Sequence, residues 1–154
     1  MADLSIGDLA PAIDSVDQQG KKITLEEYRG KKLVLYFYPK DNTPGCTAES
    51  CDLRDNYDQF LEQGFEVIGV SADSEKSHQN FVAKYQLPFR LISDTEKKVL
   101  QDYGVWGEKK NYGKTYMGIH RKTFLIDEEG IISKIIEKVK TKEHSRQIFT
   151  ELTH

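Results

Sequence analysis

Six apolar or aromatic residues stand in a row at Leu33-Val34-Leu35-Tyr36-Phe37-Tyr38, with no polar residue among them. A strand with one face in water alternates apolar and polar side chains. An unbroken run therefore predicts a central strand covered on both faces. Pro39, Pro44 and Gly45 then interrupt the chain, after which Leu53, Tyr57, Phe60 and Leu61 recur at the spacing of one helix face until Gly64. Residues 65–70 (FEVIGV) read as the next buried strand. Strand, helix and strand in that order make a right-handed parallel unit.

Around that unit, Asp17-Gln18-Gln19-Gly20 reads as a turn between two short N-terminal strands. Ser74 is placed to cap a helix whose inner face is His78, Phe81, Val82 and Tyr85, ending before Pro88. A short strand over 89–92 and a short helix over 95–103 follow, then a loop-like region containing Gly104, Gly107 and Gly113. Strands over 123–126 and 131–136 flank the turn Asp127-Glu128-Glu129-Gly130. The last helix is predicted to start at a Thr141 cap and to bury Ile148, Phe149 and Leu152. A βαβ unit followed by a ββα unit predicts an α/β fold, a thioredoxin-like three-layer sandwich. It has a central mixed β-sheet with helices on both faces and an N-terminal β-hairpin extension, residues 1–154 forming a single domain.

Composition excludes several classes of function. Hydrophobic residues are 38% and charged residues 31% of 154, which rules out collagen, low-complexity disorder and a disulfide-dense miniprotein. Lys and Arg number 22 against 25 Asp and Glu, so no basic footprint points to nucleic acid or an anionic membrane. The longest apolar run falls far short of the ~20 residues that span a bilayer. The first dozen residues carry no Lys or Arg, as a signal peptide would. The expectation is a soluble, cytoplasmic protein. In that compartment Cys46 and Cys51 are kept reduced, so a structural disulfide is not expected.

The two cysteines lie where chemistry is expected, just beyond the carboxyl end of the first buried strand. Thr43 followed by Pro44 has the form of an N-cap with proline at the first helical position. Cys46 then falls in the first helical turn, where the positive end of the helix dipole favours thiolate over thiol. A thiolate is nucleophilic, and its first product with a peroxide is a sulfenic acid. Cys51 is five residues on, which in an intact helix puts the Cα atoms ~8.7 Å apart. A disulfide requires no more than about 7 Å. Either the sulfurs never bond, or the first turns unwind for them to do so. Two small buried hydrophobes are the ordinary alternative. Zinc is disfavoured, because there is no second cysteine pair and His78, His120, His144 and His154 are scattered.

Pro39, Thr43 and Cys46 match the Pro-x-x-x-Thr-x-x-Cys pattern, and here the chain resembles the peroxiredoxins. The second cysteine five residues downstream is similar to the subgroup called bacterioferritin comigratory protein, or peroxiredoxin Q. The likeness extends through Thr24-Leu25, FEVIGVSAD from Phe65, FRLISD from Phe89 and the block from Met117 to Asp127. It implies that Cys46 attacks the peroxide, that Cys51 resolves the product as an intramolecular disulfide, and that Arg121 stabilises developing charge. It further implies that Thr43 offers its hydroxyl to the peroxide, Pro39 shields the pocket from water, and Glu49 orients the arginine. His120 is not needed as a base, and Trp106, Tyr112 and Tyr116 either border the site or pack.

The implied function is a thiol-dependent peroxidase for hydrogen peroxide and organic hydroperoxides, with no metal, haem or flavin. Its reductant would be thioredoxin or a similar dithiol protein. With no third cysteine, a resolving thiol from a partner subunit is not expected, which favours a monomer or weak homodimer. A thioredoxin-like disulfide reductase is disfavoured because it would need a Cys-x-x-Cys gap. The rival of another class is a non-catalytic peroxide sensor or chaperone-like switch using the same pair.

Overall fold

In the computed structural model, which describes residues 4–152, the chain opens with a hairpin of β1 (Asp14–Val16) and β2 (Lys22–Thr24). Its turn forms as expected. Asp17 Oδ1 accepts from the backbone N–H groups of Gln19 and Lys21, and Gly20 takes φ +74°, a conformation open to glycine without steric cost. β3 (Lys32–Phe37), α1 (Pro44–Asp55), α2 (Tyr57–Glu62) and β4 (Phe65–Ser71) follow, then α3 (Glu75–Tyr85), β5 (Arg90–Ser93) and α4 (Lys98–Asp102). β6 (Trp106–Asn111), β7 (Lys114–Ile119), β8 (Lys122–Ile126), β9 (Ile132–Ile136) and α5 (His144–Leu152) complete the chain. Among the described residues, no helix is long and apolar enough to cross a membrane.

Five strands make the central sheet in the order β5-β4-β3-β8-β9. β3 pairs parallel with β4 and antiparallel with β8, so the sheet is mixed and its apolar strand lies in the middle. The alternation of side chains divides that strand between two cores. Val34, Tyr36 and Tyr38 pack with Leu53 of α1, Phe60 of α2, Phe81 of α3 and Ile148 of α5. Leu33, Leu35 and Phe37 pack on the other face with Leu100 of α4 and with Ile13 and Ile23 from the hairpin region. Right-handed crossovers between the parallel strands β3, β4 and β5 put α1, α2 and α3 on one face. The three-layer thioredoxin-like arrangement agrees with the expectation from sequence. Arg90 of β5 ties the hairpin to the sheet, donating from Nε to Asp17 Oδ2 (2.8 Å) and from Nη1 to Glu27 Oε1 (2.7 Å).

Several elements differ from the prediction, each for a local reason. The single helix expected up to Gly64 is broken at Asn56, whose φ of −111° and ψ of 12° leave the helical region. The break turns Leu61 outward to 43% exposure, where one continuous helix face would have buried it. The glycine-rich region expected as loop contains β6 and leads into β7, a hairpin turned by Tyr112 (φ 52°) and Gly113 (φ 78°). Two consecutive positive-φ residues are what such a two-residue turn demands, and a tyrosine in the first of them hid the signal. The helix expected over 95–103 starts only at Lys98, because Lys97 is left-handed at φ 64°. Thr141 does not cap α5. It opens a 3₁₀ turn, and Asp52 Oδ2 of α1 accepts from the Ser145 N–H at 2.6 Å instead.

Gly69, the one glycine of β4, stands opposite Tyr36 in the β3–β4 register. A Cβ there would come within 2.8 Å of Tyr36 Cζ and 2.7 Å of Leu91 Cδ2. Gly69→Ala should therefore destabilise the fold by about 1–3 kcal/mol through overpacking. The measurement is the urea midpoint; an unchanged midpoint would show that the Tyr36 ring gives way freely.

Candidate active site

α1 starts beyond the carboxyl end of the central strand, across the loop from Tyr38 to Thr43. Pro44 takes the first helical position, as predicted, and Cys46 sits in the first turn. Thr43 occupies the N-cap position with extended backbone, but its side chain makes no cap. Its Oγ1 donates to the Lys40 carbonyl at 2.8 Å, folding the hydroxyl back onto its own loop. Pro39 is half-buried just past β3. The buried stripe of α1 is Cys46, Glu49, Ser50 and Leu53, spaced as one helix face. Only Leu53 on that stripe is a large apolar residue.

Arg121 immediately precedes β8, the antiparallel neighbour of β3, and this register brings it back over the start of α1. Its Nη2 donates to Cys46 Sγ at 3.2 Å and its Nη1 to Glu49 Oε1 at 2.5 Å. Gly45 leaves room for it; a Cβ at that position would stand 3.3 Å from Nη2. The Arg121 side chain is 22% exposed while that of Glu49 is wholly buried. Burial pushes Glu49 up to about 7, against the opposing pull of Arg121 and with a small push from Asp52. Burial also works against the charge on Arg121, but Glu49 and Cys46 outweigh it and hold the guanidinium protonated.

Behind Glu49 lies a second layer that the sequence did not disclose. Glu49 Oε2 has no hydrogen-bond partner among the described residues, and His144 Nε2 lies 3.5 Å away. Gln147 Nε2 donates to the Lys138 carbonyl, which leaves Gln147 Oε1 to accept from His144 Nδ1 at 2.9 Å. His144 Nε2 is then free to accept from Thr123 Oγ1 at 2.7 Å. Burial pushes His144 down to about 4, so the ring is neutral at physiological pH. On the same buried face of α1, Ser50 and Tyr36 share a hydrogen bond of 2.9 Å that ties the helix to β3. Neither contact has a local signature, because the partners are far apart in the chain.

Cys51 is half-buried, and both cysteines are free with α1 intact. Burial pushes the Cys51 thiol up, with Arg54 opposing. The structure thus brings Cys46, Arg121 and Glu49 into contact and leaves Cys51 on another side of the helix. His120 is exposed and donates from Nε2 to the Glu108 carbonyl at 3.0 Å. Trp106 packs against the core, whereas Tyr112 and Tyr116 are exposed.

Residues 6–135 match the AhpC/TSA family. The chain is 50% identical over 141 residues to Peroxiredoxin Bcp of Bacillus subtilis, covering 92% of this chain and 90% of that protein. It is 44% identical over 144 residues to Peroxiredoxin Bcp of Escherichia coli, covering 94% and 92%. Among solved structures, a cysteine-to-serine mutant of PrxQ from Xylella fastidiosa superposes with a TM-score of 0.91 at 35% identity, over 99% of this chain and 98% of that one. Peroxiredoxin Q of Xanthomonas campestris superposes at 0.85 with 40% identity, over 92% and 89%. The family match spans most of the chain and both relatives are covered almost end to end, so the chain belongs to the AhpC/TSA family and is a thiol peroxidase of the peroxiredoxin class, with a peroxide as substrate and a thiol as reductant.

Proposed function

We propose that Cys46 is the peroxide-reacting sulfur of this enzyme, Cys51 the sulfur that resolves it, and thioredoxin or a similar dithiol protein the reductant. The observation that carries this reading is the 3.2 Å contact from Arg121 Nη2 to Cys46 Sγ, with the same guanidinium braced on Glu49. The Cys46 sulfur attacks the terminal oxygen of the hydroperoxide, the O–O bond breaks, and the leaving alkoxide or hydroxide takes a proton from water. Negative charge passes from sulfur to the departing oxygen in that step. A fixed guanidinium beside the sulfur is placed to stabilise it along the whole path. Thr43 turns its hydroxyl from the Lys40 carbonyl to the bound peroxide, and Pro39 keeps water from the pocket. Glu49 holds the arginine in place from the side away from substrate.

The sulfenic acid on Cys46 is then attacked by the Cys51 thiolate, expelling hydroxide and forming a disulfide. Helix geometry requires α1 to open first. Its construction suits that demand. Before Leu53 the buried face is Cys46, Glu49 and Ser50, so opening residues 44–51 uncovers little apolar surface. Leu53 and Asp52, the latter capping α5 at 2.6 Å, anchor the helix just beyond Cys51. Opening also removes the burial that holds the Cys51 thiol up, and so produces the nucleophile when it is needed. The exposed disulfide is reduced by thiol exchange. The protein works in the cytoplasm as a single domain, monomeric or weakly dimeric.

Peroxide consumption with a thioredoxin system tests the assignment. Cys46→Ser should show no turnover, and Cys51→Ser should form sulfenate once and recycle only with added small thiol. Equal activity in both variants and wild type would refute it, and wild type stopping after one equivalent per chain would favour a sensor.

Glu49 provides an independent check through stability. Its carboxyl is held above the ordinary 4.5, so the folded protein keeps a proton that the unfolded chain releases there. That contribution is complete below pH 4.5 and is lost as pH rises through about 7. Relative to Glu49→Gln, the wild type should lose about 3 kcal/mol across this window, since each pKa unit is worth ~1.4 kcal/mol. Denaturant titrations at several pH values measure the difference; one that stays constant from about pH 5 to 8 would contradict the account.

A further inference from the structure

The loop that carries Pro39 and Thr43 is fastened at a point the peroxidase chemistry does not use. Asp41 is 4% exposed. Its Oδ1 accepts from Tyr38 Oη at 2.6 Å and its Oδ2 from Ser77 Oγ at 2.8 Å. Its backbone N–H donates to Asp73 Oδ2 at 2.8 Å. Asp41 Oδ2 also lies 2.7 Å from Nδ1 of His78, a fully buried residue of α3. The other ring nitrogen, Nε2, is 2.9 Å from the Ile92 carbonyl of β5. A carbonyl only accepts, so Nε2 carries a hydrogen. Two lone pairs cannot face each other at 2.7 Å, so a proton also lies between Nδ1 and the carboxyl.

The result is a rigid bridge from the loop to α3 and β5. Asn42, the next residue, is held at φ 62°, a left-handed conformation that asparagine tolerates better than most non-glycine residues. Asp41, Asp73 and His78 gather donor atoms within 4.8 Å of one another, but hydrogen bonds already engage them, Asp73 Oδ2 taking a further one from Ser71 Oγ at 2.6 Å. The cluster has the form of a clamp and not of a cation site.

We propose that Asp41 and His78 are positioning residues for peroxide reduction: the proton between them anchors residues 39–43, and with them the start of α1, in the geometry a peroxide needs at Cys46. The inference rests on the peroxidase reading and deepens it. In-line attack on an O–O bond demands alignment of pocket and sulfur, and a misplacement of about 1 Å can cost ~100-fold in rate. Alkylation of the same sulfur by iodoacetamide makes no use of Thr43 or Pro39. The bridge also lies upstream of the turns that open, so it holds the entry to the helix in place through the cycle.

The test compares second-order rates of Cys46 with hydrogen peroxide and with iodoacetamide, in a Cys51→Ser background. Asp41→Ala and His78→Leu should slow the peroxide reaction by ~10–100-fold and change alkylation by less than about threefold, on the same scale. Asp41→Asn should restore the peroxide rate to within about threefold of the parent, because its amide N–H can donate to His78 Nδ1 while its carbonyl still accepts from Tyr38. The His78 Nε2 proton, which faces the Ile92 carbonyl, should exchange slowly by NMR in the parent and in Asp41→Asn and faster in Asp41→Ala, where Nδ1 has lost the partner that holds the ring. Peroxide rates unaltered in Asp41→Ala, equal slowing with both reagents, or no recovery in Asp41→Asn would each overturn the proposal. A parent protein whose Cys46 ignores peroxide but is alkylated would overturn the peroxidase reading, and this inference with it.

Discussion

Arg121 makes the contacts on which the start of α1 depends. Its guanidinium bridges a buried sulfur and a buried carboxyl on successive turns of one helix, and it stands just before β8, the antiparallel neighbour of the central strand. Taking such an ion out of water costs several kcal/mol unless partners compensate. Glu49 is the compensation, and the burial that makes it effective also pushes its own carboxyl up to about 7. The neighbouring imidazole stays neutral at the same time, pushed down to about 4. The centre therefore holds one firm positive charge, directed at the sulfur, with its surroundings close to electrically balanced.

That arrangement explains why α1 is built differently from the other helices. α3 faces the sheet with Phe81 and α5 with Ile148, whereas the first two turns of α1 present a thiol, a carboxyl and a hydroxyl. Their attachment is directional: a guanidinium, and the Tyr36–Ser50 hydrogen bond. Polar contacts of this kind hold a precise geometry yet release into water at a net cost of only about 1 kcal/mol each, more where a charge is involved. Apolar burial resumes at Leu53. Attachment is thus graded along one helix, polar over the turns that the proposed cycle opens and apolar from Leu53 on, where the helix stays docked.

Legibility in the sequence followed the range of the interactions. The central strand, both flanking hairpin turns, the Ser74 cap (Ser74 Oγ accepts from the Ser77 N–H at 3.1 Å) and Pro44 at the first helical position all rest on neighbours a few residues apart. The errors arose where a local pattern met a distant competitor or an unusual turn residue. Thr43 gave its hydroxyl to Lys40 and not to the helix, Tyr112 concealed a hairpin, and the cap of α5 came from Asp52, 93 residues earlier. Of the candidate site, Cys46, Arg121 and Glu49 were legible through the resemblance of their motif. His144, Thr123 and Asp41 showed no sign of these contacts, and His78 was legible only as a buried position on the inner face of α3.

What the chain alone determined is whatever a single turn or strand can encode: a doubly covered β3, a proline-started helix with Cys46 in its first turn, and a five-residue gap too wide to bridge while that helix stands. What only the folded molecule decided is which charge meets which sulfur. Arg121 and Cys46 are 75 residues apart, Arg121 and Glu49 72, and Asp41 and His78 37. Such pairs are set by the register of β3 against β8 and by the side on which the crossovers lay their helices. Those are properties of the packed sheet, and no local run of residues contains them.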